Sequence, residues 1–160
     1  ITIGGMLDVI GGNIRVGQSE YFVTEACEYT NSFLSFFPTV AVITNVDEDH
    51  LDYFKTMENL TLSFHKFLKM TKLSYINGDD ELAIKAAEGI NAKIVTFGFG
   101  KDNTYRAENI KSGKYGFSFD VIKDNEKLIN IENICLLVCN FIYKKLQTYQ
   151  FVPQIDYYYI

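Results

Sequence analysis

The chain has 160 residues, 48% of them apolar, and 15 Lys or Arg against 20 Asp or Glu leave a net charge of −5. That length suits one folded domain burying about 70% of the surface its unfolded chain exposes, and the acidic balance, with no basic face, argues against a nucleic-acid partner. No apolar segment approaches the roughly 20 residues of a membrane span, and no basic stretch followed by an apolar one opens the chain, so no membrane association is expected.

Cys27, Cys135 and Cys139 are odd in number and lack the spacing of a disulfide framework or a zinc site. Reduced thiols and a cytoplasmic protein are the expectation. The chain opens Ile1-Thr2-Ile3-Gly4-Gly5, without an initiator Met and already in a strand-and-turn pattern, as a piece of a longer protein would.

In chain order, Ile1 to Gly17 reads as a short strand with loops shaped by Gly4-Gly5 and Gly11-Gly12-Asn13, either passing close to a ligand or forming ordinary turns. No Gly-x-x-x-x-Gly-Lys-Ser/Thr loop occurs, so the chain carries no phosphate cradle of that kind. Tyr21 to Thr24 is an apolar run ending on Glu25-Ala26-Cys27-Glu28, and it predicts a strand. Asn31 to Phe37 predicts a short aromatic helix or turn stopped by Pro38, its phenylalanines in the core.

Val40 to Ile43 is β-branched and uncharged, the pattern of a strand covered on both faces by helices. It runs straight into Asn45, Asp47, Glu48, Asp49, His50 and Asp52. In open α/β sheets ligands sit beyond the carboxyl ends of the strands, which is where this acidic block falls. If the Tyr21 and Val40 strands are parallel, Glu25 and His50 reach one edge and can share an ion. The alternative is a solvated acidic loop and a structural histidine, with Glu25 and His50 far apart.

Thr56 is a candidate N-cap for a helix reaching Met70, with Met57, Leu60, Phe64, Phe67 and Leu68 on one face. Leu73 to Ile76 predicts a strand, Asn77-Gly78-Asp79-Asp80 a turn, and Glu81 to Glu88 a helix that Asp79 or Asp80 caps and Gly89 stops. Lys93 to Phe99 predicts another strand, and this alternation implies an α/β fold with a mostly parallel sheet flanked by helices. Tyr105 to Lys111, Tyr115 to Lys123 and Glu126 to Ile131 alternate in polarity around Ser112-Gly113 and Asp124-Asn125, predicting a small antiparallel sheet near the C-terminal part. Ile134 to Tyr149 has the spacing of an amphipathic helix, but the composition shifts: residues 132–160 hold no glycine and are expected to be an atypical tail after a domain spanning 1–131.

Magnesium takes oxygen ligands and needs only one or two protein carboxylates beside water and substrate oxygens, a role open to Glu25. A neutral imidazole such as His50 can hold a second ion, and Asn45 can orient a phosphate or other substrate group.

The ordered blocks Glu25-Ala26-Cys27-Glu28-Tyr29, Phe33-Leu34-Ser35-Phe36 and Ile43-Thr44-Asn45 through Asp49-His50-Leu51-Asp52-Tyr53-Phe54 resemble the central domain of the Mur ligases. Gly4-Gly5, Gly11-Gly12-Asn13, Asn77 to Asp80, Phe97-Gly98 and Tyr105 to Glu108 support the resemblance, which covers residues 1 to about 131. It is strongest to the members that join L-alanine to UDP-N-acetylmuramate.

The resemblance implies ATP and Mg2+ as cofactors, an acyl-phosphate intermediate, and a cytoplasmic role in peptidoglycan precursor synthesis. By position, Glu25 is implied as ligand of the magnesium that bridges the ATP phosphates and His50 as ligand of a second ion. Glu28, Asn45 and Asp49 are implied as nearby substrate contacts or supports. Some related ligases carry a carbamylated lysine after this block; Lys66 is the nearest, and it is left out of the site.

The chain also departs from the family. The glycine-rich ATP loop and the segment Gly-x-His-Asn after Ile131 are missing, so a fragment inactive alone is expected, with self-association through an exposed sheet edge. Alternatives are a sibling ligase that recycles murein tripeptide, or a non-catalytic interaction domain of the same fold.

Overall fold

The computed structural model describes residues 1–113 and 116–134. The helix expected over Ile134 to Tyr149, and most of the expected tail, lie outside the described residues. Strands β1 (Thr2–Leu7) and β2 (Gly12–Ile14) pair antiparallel as a small separate sheet, with Gly11 at φ +69° in the connection, a conformation glycine adopts without strain. A segment of 3-10 turns follows over Tyr29–Ser35, kinked at Thr30 and Asn31.

A six-stranded sheet forms the body, in the order β3 (Val40–Ile43), β4 (Leu73–Asn77), β5 (Lys93–Gly98), β6 (Tyr105–Gly113), β7 (Gly116–Lys123) and β8 (Glu126–Ile134). The first four run parallel and the last three form antiparallel hairpins. The expected antiparallel strands are thus a continuation of the parallel sheet, joined where Phe97 and Gly98 pair with Tyr105 and Arg106. Asp124 and Asn125 both have positive φ, the backbone a tight two-residue hairpin turn needs.

Helix α1 (Leu51–Phe54) is one turn, and α2 (Met57–Leu68) is the long helix. Thr56 caps α2 as its spacing predicts, its hydroxyl oxygen accepting from the Asn59 N–H at 3.2 Å. Helix α3 (Glu81–Ala87) is capped by Asp80, which accepts from the Ala83 N–H at 2.8 Å. Leu60, Phe67 and Leu68 of α2 and Ala83 and Ala86 of α3 are buried with Ala41, Ile43 and Ile76 of the sheet. This apolar layer is the core.

Asp79 is not the cap. Its carboxylate accepts from the backbone N–H of Phe99 at 2.6 Å and Gly100 at 3.0 Å and from the Asn103 amide at 2.8 Å, tying the β4–α3 turn to the β5–β6 loop. Gly98 permits the approach, since a Cβ there would lie 2.5 Å from an Asp79 oxygen.

Three local expectations are corrected. Tyr21 to Val23 forms no strand; Thr24 makes an isolated bridge to Thr2, because a cleft separates this segment from β3. Among the described residues strand β3 lies at the sheet edge and alternates in burial, with Val40 and Val42 exposed, so helices cover only one of its faces. Of the aromatic turn, Phe33 is buried and stacks on Phe67 at 4.7 Å, whereas Phe37 is 93% exposed.

Candidate functional site

Strand β3 delivers Thr44 to Asp49 at its carboxyl end as an exposed loop anchored by buried Val46. The loop closes on itself: Asp47 accepts from the Glu48 N–H at 2.8 Å, and Asp49 accepts from the His50 N–H at 2.7 Å. His50 then starts α1 with φ 54° and ψ 32°, a left-handed backbone that is uncommon for a non-glycine residue and that gathers at functional sites. The His50 carbonyl accepts from the N–H groups of Tyr53 and Phe54, so the one-turn helix holds it in place.

The other side comes from residues 25–31. Glu28 precedes the aromatic turn, and its Oε1 lies 3.5 Å from His50 Nε2. Asp49 Oδ1 lies 3.5 Å from His50 Nδ1. Ligand atoms of Glu28, Asp49 and His50 all fall within 4.8 Å of one another. Two carboxylates and one imidazole suit a small divalent cation: the oxygens fit magnesium, and the nitrogen widens the range toward manganese. The donor set fits the ion that the Mur resemblance implies.

Glu25, Glu28, Asn45 and Asp49 line one open cleft of about 1120 Å³ between residues 20–28 and β3. Glu25 is placed differently from His50. Its carboxylate accepts from the Gly4 N–H at 2.6 Å, an approach that suits a residue without a side chain, since a Cβ at Gly4 would sit 3.1 Å from that oxygen. Glu25 is not part of the converging group of Glu28, Asp49 and His50. Asn45 is exposed, its Oδ1 accepting from the Thr44 hydroxyl at 3.2 Å, and Lys66 is exposed on α2.

Sequence reasoning missed the aromatic support. The Tyr29 ring lies 4.6 Å from the His50 ring, centroid to centroid, at 40°. Its only local signal was its place directly after Glu28.

The profile of the family described as "Mur ligase middle domain" matches residues 12–136. The chain is 45% identical over 136 residues to a UDP-N-acetylmuramate–L-alanine ligase of Clostridium acetobutylicum, covering 82% of this chain and 30% of that protein. It is 44% identical over 137 residues to the ligase of the same name from Acetivibrio thermocellus, covering 82% and 29%. The fold is similar to that of a UDP-N-acetylmuramate–alanine ligase of Thermotoga maritima, with a TM-score of 0.69 at 24% identity over 92% of this chain and 34% of that one. The chain therefore spans about 30% of the length of the curated relatives it matches.

Proposed function

Because the chain belongs to the Mur ligase family through its middle domain, we propose that it is part of an ATP-dependent ligase that joins L-alanine to UDP-N-acetylmuramate in the cytoplasm, in the synthesis of peptidoglycan precursors. The observation that carries this reading is the 45% identity to a ligase of that name. A shared fold would serve any member of the family.

In the proposed reaction the γ-phosphoryl group of ATP passes to the lactyl carboxylate oxygen and ADP leaves. The amine of L-alanine then attacks the acyl carbon, and phosphate departs as the amide forms. Magnesium, when bound, neutralises charge on the transferring phosphoryl group. Glu25 is the proposed ligand toward the ATP phosphates, and its exposed carboxylate at the cleft rim supports that role. His50 would hold the second ion, with Glu28 and Asp49 beside its two ring nitrogens. Asn45, on the same cleft, orients the substrate's phosphate or carboxylate.

The test grafts residues 12–136 into the matching region of the Clostridium acetobutylicum ligase and follows phosphate release. Alanine-dependent release that needs UDP-N-acetylmuramate, and that His50→Ala removes, is expected. A folded chimera that turns over with another amino acid, or not at all, would sink the proposal. The 160-residue chain by itself is expected to release no phosphate, since it contains no Gly-x-x-x-x-Gly-Lys-Ser/Thr loop to hold the ATP phosphates.

A further inference from the structure

His50 is not an isolated ring on a loop. On one side its Nε2 faces Glu28 at 3.5 Å; on the other, Tyr29 lies against its ring at 4.6 Å. Tyr29 is itself braced by the edge of Tyr53, at 6.1 Å and 68°. The Tyr53 hydroxyl accepts from the Asn31 side-chain amide Nδ2 at 3.0 Å, and the Asn31 side-chain Oδ1 accepts from the Ser63 hydroxyl. Ser63 is buried in α2. A continuous chain of contacts therefore runs from the packed core helix to the imidazole.

The backbone supports the same reading. Thr30 and Asn31 have φ of 54° and 61°, and His50 has φ of 54°. Left-handed non-glycine residues persist only where surrounding contacts over-determine them. Asn31 tolerates that conformation better than Thr30 does, and its peptide N–H closes the turn onto the Glu28 carbonyl at 2.9 Å. The turn that presents Glu28 and the helix start that presents His50 are thus locked to each other through side chains that offer no atom to the converging group.

We propose that Tyr29 and Asn31 are positioning residues that hold the His50 imidazole facing Glu28, so that the affinity of the chain for a divalent cation depends on both although neither is a ligand. This rests on the reading above that the converging group Glu28, Asp49 and His50 holds a divalent cation. Residues that orient metal ligands from behind commonly change metal affinity by about 10- to 100-fold when lost. A ring held by one partly exposed aromatic belongs at the lower end of that range.

The experiment titrates the 160-residue chain with Mn2+, reading free Mn2+ by electron paramagnetic resonance, beside one-dimensional proton spectra of the metal-free chain. The sequence holds only two histidines, His50 and His65, so His50→Asn assigns the ring signals by loss. Tyr29→Ala and Asn31→Gly are expected to weaken Mn2+ binding about 10-fold and to move the His50 ring signals as the Tyr29 ring current is lost or displaced. Tyr29→Phe, which keeps the ring tilted against the imidazole, is expected to bind like the parent chain.

Unchanged affinity and unchanged His50 signals in Tyr29→Ala, in a chain whose Mn2+ binding His50→Asn abolishes, would overturn the positioning role alone. Binding that survives both His50→Asn and Glu28→Gln would overturn the underlying site, and the positioning role with it.

Discussion

Asp120 shows at the residue scale how the far end of the sheet is held. Its carboxylate is buried in β7 and takes an ion pair from Lys127 at 2.7 Å and amide hydrogen bonds from Asn109 at 2.9 Å and Asn130 at 2.8 Å. The hydrogen bond from Lys127 leads, followed by those from Asn109 and Asn130, and together they hold this carboxyl well below its ordinary value of 3.8. A carboxylate whose folded pKa is depressed stabilises the fold above its unfolded value, and that contribution fades as pH falls toward the folded value. Melting temperature is therefore expected to drop as pH is taken from about 4 downward, and Asp120→Asn should flatten that part of the profile. An Asp120→Asn chain with the same acid slope as the parent would disprove the assignment. Gly4 and Glu25 make a second case: a Gly4→Ala chain is expected to loosen the 2.6 Å hydrogen bond that fixes the Glu25 carboxylate, seen as faster hydrogen exchange at residue 4.

At the scale of elements, the single turn between β4 and α3 divides the work between neighbouring aspartates. Asp80 caps α3, while Asp79 gathers three donors from the β5–β6 loop. Asp79→Ala leaves those donors without the carboxylate, at a cost of about 2 kcal/mol for partly buried groups. Thr56→Ala removes one N-terminal acceptor from α2 and should cost about 1 kcal/mol. Urea unfolding of both variants checks the order; a Thr56→Ala loss larger than that of Asp79→Ala would contradict it. The α2 face itself follows from spacing: Leu60, Phe67 and Leu68 are buried where the 3.6-residue period predicts. His65 adds a strap that spacing does not reveal, its Nδ1 lying 2.9 Å from the Ala86 carbonyl oxygen and linking α2 to α3.

For the whole molecule, the consequential surface is the edge at β3. Val40 and Val42 are exposed there, and Tyr21, Phe22 and Phe37 are exposed across and beside the cleft. An apolar edge strand without a charged side chain is a template for strand pairing, so concentration-dependent self-association is expected in sedimentation, and Val42→Lys should reduce it; a chain monomeric at every concentration would refute this. The order of strands and helices after residue 40 was legible in the sequence because periodicity, caps and turn residues act over a few neighbours: Thr56, Asp80, Gly89 and the Asp124-Asn125 turn all stand where local chemistry puts them. The acidic block at the end of β3, and with it the Mur family, was also legible, since ordered motifs are a property of the chain itself. Three things were decided only by tertiary structure. Glu28, rather than Glu25, faces the His50 ring; among the described residues β3 is an edge strand with one face exposed; and Tyr29, Tyr53, Asn31 and Ser63 form one chain of contacts behind that ring. Each depends on the distance between segments that sequence separates by 20 or more residues, and local propensities do not encode how such segments meet in space.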